Sequence, residues 1–166
     1  TQSSQPTGQV LVTAALKVDE TIWYVAINGY DANACHTVAN ACRNITTAMD
    51  RAKEGDTIKI GSGQFNENLR VTKSLTFIGA GAGSTILDGQ GESTWKSVFW
   101  FDGDSHPGSI LHGSLSNMTI QNGINASGGW DEIDDGGGIA SVNADLDLSG
   151  VQLTNNRSRN GGGIYF

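Results

Sequence analysis

The chain has 166 residues, 23 of them Gly and only 2 Pro, with a formal net charge of −7. One domain's worth of Gly-rich, charge-poor sequence is neither a coiled coil nor a helical bundle, and without a strict Gly-x-y period it is not collagen. Its 10 basic residues are scattered, which argues against nucleic acid as a partner, and no apolar run approaches the roughly 18 residues a membrane helix needs.

Residues 1–8 are polar and read as a flexible leader. Thr1 to Gln5 lack an initiator Met and any apolar signal core, so they read as a mature end left after signal removal. Val10, Leu11, Val12, Ala14 and Leu16 make residues 9–18 β-prone, and about ten residues at ~3.3 Å each span ~30 Å. Ile22 to Ile27 form a second predicted strand, closed by the turn signal Asn28-Gly29.

Cys35 and Cys42 lie in the polar loop that follows. A structural disulfide is the expected reading, closing a small ring and placing the protein outside a reducing cytosol, extracellularly or at a cell surface. The competing reading is a metal or redox pair, with His36 adjacent but no C-x-x-C spacing and no His pair. Four N-x-[ST] sequons, at Asn44, Asn117, Asn125 and Asn156, are candidate glycan acceptors in a secretory pathway that modifies asparagine. Chance is the alternative, because Asn, Ser and Thr are abundant here.

One helix is predicted, over about 44–54, where Ile45, Ala48, Met49 and Ala52 form a single apolar stripe. Asn44 is placed to cap its start and Gly55 to end it in the left-handed conformation. Beyond Gly55, short apolar strands alternate with Gly, Asn and Asp turns: 57–60, 68–71, 74–78, 85–87, 97–101, 117–120, 138–142, 145–148, 151–154 and 163–166. Ile58 with Ile60, Leu75 with Phe77, and Met118 with Ile120 are expected to face inward.

The strands carry a repeat. Leu115 to Gly123 match Leu148 to Asn156 at an offset of 33, Asp135 to Ile139 match Asn160 to Ile164 at an offset of 25, and Ser74 to Gly79 are a weaker earlier copy. Unequal offsets with a constant strand order are what a solenoid produces, since insertions go into loops while the walls repeat. Asn122 and Asn155 occupy equivalent turn positions and are candidates for a stacked ladder, with coincidence as the alternative.

The order of elements carries a resemblance. A strand, a loop with Asn33-Ala34-Cys35 and Ala41-Cys42, and a helix running into Ala52-Lys53-Glu54-Gly55-Asp56-Thr57-Ile58 come first. Gly61-Ser62-Gly63-Gln64-Phe65-Asn66-Glu67-Asn68, Lys73-Ser74-Leu75-Thr76-Phe77-Ile78-Gly79-Ala80-Gly81 and Ser84-Thr85-Ile86-Leu87-Asp88-Gly89 follow. Over residues 22–166 this resembles the start of right-handed parallel β-helix proteins, the pectate-lyase-like superfamily, which includes many bacterial surface proteins. The resemblance is specific for fold and weak for activity. It implies an all-β chain, a β-solenoid whose open N-terminal end is covered by the amphipathic helix. The domain reading is then residues 1–21 as leader and candidate donor strand, 22–56 as strand, cysteine loop and cap, and 57–166 as coils.

Family enzymes cut acidic polysaccharides by calcium-assisted elimination or by paired carboxylates. Here Asp134-Asp135 stand without the Gly-His-Gly and Arg-x-Lys elements; His106 precedes Pro107, and His112-Gly113 lacks the preceding Gly. Asp131, Glu132, Asp134 and Asp135 are weak candidates for calcium, against the plainer reading of a solvated acidic turn; Arg157 and Arg159 are candidate partners. Trp95, Trp100 and Trp130 offer either sugar-stacking faces or packing. No catalytic constellation is identified, no cofactor is implied, and an enzyme is the less favoured reading.

Ile164, Tyr165 and Phe166 are expected to form an exposed edge, since the sequence stops in mid-coil. The expectation is a secreted, non-enzymatic structural protein that assembles with itself head to tail, the N-terminal strand complementing a neighbouring copy. The alternatives are a polysaccharide-binding or polysaccharide-cleaving β-helix, with polysaccharide or covalent glycans as partners, and the N-terminal part of a larger surface adhesin.

Overall fold

A computed structural model of the chain describes residues 21–91, 96–106, 108–125 and 136–166. Among these, one α-helix, α1 (Ile45–Arg51), stands among strands β1 (Ile22–Val25), β2 (Thr57–Ile60), β3 (Gly63–Phe65), β4 (Leu69–Val71), β5 (Leu75–Gly79), β6 (Thr85–Asp88), β7 (Phe99–Asp102), β8 (Leu111–Gln121), β9 (Ile124–Asn125), β10 (Ile139–Val142), β11 (Ala144–Thr154), β12 (Arg157–Ser158) and β13 (Ile164–Tyr165). The strands pair in parallel throughout these ladders.

The pairing is cyclic. A first ladder stacks β1, β2, β5 and the front halves of β8 and β11. A second stacks β3, β6 and the rear halves of the same two long strands. A third stacks β4, β7, β10 and β13. The chain visits the ladders in this order and then begins again one rung further on, so the sheet curls around a single core.

Side-chain alternation fills that core in stacked rows. Trp23, Ile58, Phe77 and Leu115 lie in one row and are buried; Leu69, Phe99 and Ile139 form a second, and Phe65, Leu87 and Ile120 a third. Burying each such side chain is worth about 1.5–3 kcal/mol. Phe99 contributes ring contacts to Phe77 and Phe101, with centroids 5.3 and 5.8 Å apart. The inward positions read from the sequence, Ile58, Ile60, Leu75, Phe77, Met118 and Ile120, are all buried.

Both repeat offsets reappear as strand register. Leu115 stands opposite Leu148, and Ile139 opposite Ile164. In the weaker copy Phe77 is the residue opposite Leu115. Asn122 and Asn155 are both left-handed, with φ of 55° and 53°, but the amide of Asn122 donates to Asp88 on the preceding rung.

Several elements differ from the sequence reading. The separate strands expected at 145–148 and 151–154 are one strand, β11, bent at Gly150 (φ 62°). Its neighbour β8 bends at Asn117 (φ 56°), directly opposite, so a left-handed residue makes the corner on both rungs. Leu111 to Ser116 were not expected as strand because His112, Gly113, Ser114 and Ser116 lack β propensity; pairing with β5 and β11 supplies what the segment itself does not. The helix is shorter than expected. It ends at Arg51, Ala52 is already extended, and Gly55 (φ 82°) instead turns the chain into β2. No helix among the described residues is long and apolar enough to cross a membrane.

Candidate assembly surface

The two ends of the stack differ in how their polar edges are satisfied. At the front, β1 pairs with β2 on one side, and the cysteine loop covers the other. The Tyr24 amide donates to the Cys35 carbonyl (2.7 Å), the Cys42 amide to the Tyr24 carbonyl (2.8 Å) and the Ala26 amide to the Cys42 carbonyl (2.9 Å). Cys35 and Cys42 form a disulfide, as expected, and both are fully buried. The Arg51 guanidinium locks the ring to the helix by donating to the carbonyls of Asn33 (2.6 Å) and Asp31 (2.5 Å) and lying 3.1 Å from Cys35 Sγ. His36 packs on Trp23, with ring centroids 4.4 Å apart, rather than joining a metal pair.

Helix α1 is held at both ends by loops flanking β4. The Asn44 side chain makes no capping bond, contrary to expectation; its amide donates to Asp31. The Glu67 carboxylate takes the capping role, accepting from the amides of Ile45 (2.7 Å) and Thr46 (2.9 Å) and from the Thr46 hydroxyl (2.7 Å). At the other end Lys73 donates to the carbonyls of Met49 and Ala52, both at 2.7 Å. Charges of these signs at these ends also complement the helix dipole. Sequence reasoning missed both residues, because each lies more than 20 positions from the helix end it serves.

Asp56 joins this closure. Burial raises its pKa, but hydrogen bonds from the Lys53 amide, the Trp23 indole and the Thr21 amide outweigh that and hold the carboxyl below its ordinary range. Asp102, in the third ladder, is likewise pushed up by burial and pulled further down by Arg70 and Ser105.

The last rung has no such cover among the described residues. There β11 pairs with β8 alone. Ala144, Leu146, Val151, Leu153 and Ile164 pack on the core from one side and are only partly buried, and Leu148 is 36% exposed although its counterpart Leu115 is fully buried. At the start of β11 an open groove of about 440 Å³ lies between Ile110, Ser141, Asn143, Ala144 and Phe166. Ile110 is 56% and Phe166 70% exposed. Of the three expected edge residues, Ile164 and Tyr165 pair with β10, and Phe166 lines this groove.

The other candidate residues are dispersed. The amide of Asn156 bridges backbone by donating to the Ile120 carbonyl while its oxygen accepts from the Gly123 amide, and Asn125 donates to Ser97. Asn117 is exposed at its corner. Trp100 is partly exposed with the Arg70 guanidinium 4.7 Å from its ring centre, so one face is already taken. His112 lies 3.7 Å from Asp145, both on the surface. His106 bridges the Thr72 carbonyl and the Ser109 hydroxyl. The candidate assembly-strand residues Val10, Leu11, Val12, Ala14 and Leu16, the acidic residues Asp131, Glu132, Asp134 and Asp135, and Trp95 and Trp130 lie outside the described residues. No family model matches the chain, and no curated protein matches it.

Proposed function

We propose that the chain is a right-handed parallel β-helix of the pectate-lyase-like type, secreted and non-enzymatic, that assembles with itself head to tail as the subunit of an extracellular filament. The observation that carries this is the contrast between a front edge sealed by the Cys35–Cys42 ring and a last rung whose inward leucines are left half-covered. A long unpaired parallel edge over an open apolar core is a template for another strand. The sealed front prevents direct rung-on-rung stacking, so the joining strand must come from outside the front rung. Residues 9–18 are apolar, β-prone and immediately upstream of β1. A neighbour's copy of this segment added to the last rung gives a heterologous contact, which propagates unless the rotation closes. The disulfide fits an oxidising compartment.

Electron microscopy and light scattering of the purified chain at rising concentration test this. Filaments that disappear when residues 1–18 are deleted support it; monomers at every concentration defeat it. A polysaccharide-binding protein is the second reading, and the exposed part of Trp100 favours it. Affinity electrophoresis on acidic polysaccharides, with Trp100→Ala as control, separates the two.

A further inference from the structure

Resting on the assembly reading, we infer that the neighbour's strand docks in one definite place: residues 14–18 pair in parallel with Ala144–Leu148, and residues 10–12 run into the groove beside Phe166. Three features lead there. The first is shape. β11 turns a left-handed corner at Gly150, as β8 does at Asn117. Residues 9–18 contain neither Gly nor Asn, the residues that adopt this conformation readily. A partner strand without such a residue matches only one half of the rung, and the front half, Ala144 to Ser149, is the longer.

The second is side-chain parity. Val10, Val12, Ala14, Leu16 and Val18 fall on one face of an extended strand. Set against Ala144, Leu146 and Leu148, the last three of them complete the row that the final rung leaves half-covered. Glu20 would be the next inward residue, so the useful stretch ends at Val18. In the parallel direction of the described ladders, Val12 and Val10 then reach past Ala144, where Ile110 and Phe166 line the open groove.

The third is charge. Parity puts Lys17 in the outward row with Asp145 and Asp147. Asp145 already faces His112, whereas Asp147 stands opposite Ser114. Pairing Ala14 with Ala144 brings Lys17 beside Asp147. On a chain of net charge −7, this contact sets an attraction against the repulsion between copies.

Cysteine pairs in the full-length chain test the placement, because adjacent parallel strands bring residues within the Cα separation a disulfide requires. Lys17→Cys mixed with Asp147→Cys is expected to give an intermolecular cross-link under mild oxidation, and so is Ala15→Cys mixed with Asp145→Cys. Lys17→Cys with Gln152→Cys is expected to stay unlinked. Filaments that cross-link at Gln152 instead would overturn the placement while leaving assembly intact. Loss of the Ala15–Asp145 link alone would overturn the parallel direction. Cross-linking only within one molecule, with no polymer, would sink both readings. Independently, Lys17→Glu should raise the critical concentration about two- to fivefold, and adding Asp147→Lys should restore it; no shift, or no rescue, would remove the charge contact.

Discussion

The front and back of this molecule are built from the same rungs and are finished differently. At the front, polar groups are given partners brought from a distance: Cys35 and Cys42 carbonyls on β1, Glu67 and Lys73 on the two ends of α1, Asp56 on Thr21 and Trp23. At the back, Leu148 repeats Leu115 in type and register, yet is over a third exposed. The same side chain in the same row is core in one rung and surface in the next. What differs is whether another rung lies on top.

The largest effect should come from charging equivalent positions. Leu115→Asp buries an unpaired carboxylate in the middle of the stack and should cost at least about 4 kcal/mol, seen as loss of the cooperative unfolding transition by circular dichroism. Leu148→Asp, on the open rung, should leave that transition within about 1 kcal/mol of the parent while abolishing filaments. A Leu148→Asp chain that fails to fold would show that the back is as closed as the front.

Next comes the ring. Replacing Cys35 and Cys42 together by Ser releases an 8-residue loop and should lower stability by about 2.5 kcal/mol, or ~5–10 °C in the thermal midpoint. Hydrogen exchange should rise first at Tyr24, Ala26 and Cys42, whose amides make the front seal, with β8 unchanged. Equal loss of protection in β8 would mean the two ends do not unfold separately. Glu67→Ala should follow at about 1–2 kcal/mol, because it removes the acceptor of the Ile45 and Thr46 amides.

The smallest effect is acid sensitivity. Asp56 and Asp102 have folded pKa values below their unfolded ones, so each contributes stability that is fully present above the unfolded value of about 3.9 and is lost as pH falls through the folded one. Thermal midpoints should be level from neutral pH down to about 5 and fall below about 4. Asp56→Asn should flatten that decline and lower the midpoint at neutral pH, because an amide satisfies the three donors from Thr21, Trp23 and Lys53 less well. An unchanged slope would remove Asp56 from the front closure.

Particular residues show what could be read in advance. The inward set at Ile58, Phe77, Met118 and Ile120 was legible because a period of two is local, and the registers Leu115–Leu148 and Ile139–Ile164 were legible because stacked rungs repeat their sequence. The front half of β8 was not, since its Gly113 and serines become strand only through their neighbours. Nor were Glu67 and Lys73, whose roles depend on which turn of chain lies beside the helix ends.

The sequence by itself therefore determined the alternation and the repeat, because each is written in spacings along the chain, and it made the Cys35–Cys42 ring the expected reading that the structure then closed. Only the tertiary structure decided which charges cap the helix, which residues make the corners, and which rung has nothing lying over it among the described residues. These depend on which segments stack, and residues distant in sequence meet only once the chain has closed on itself.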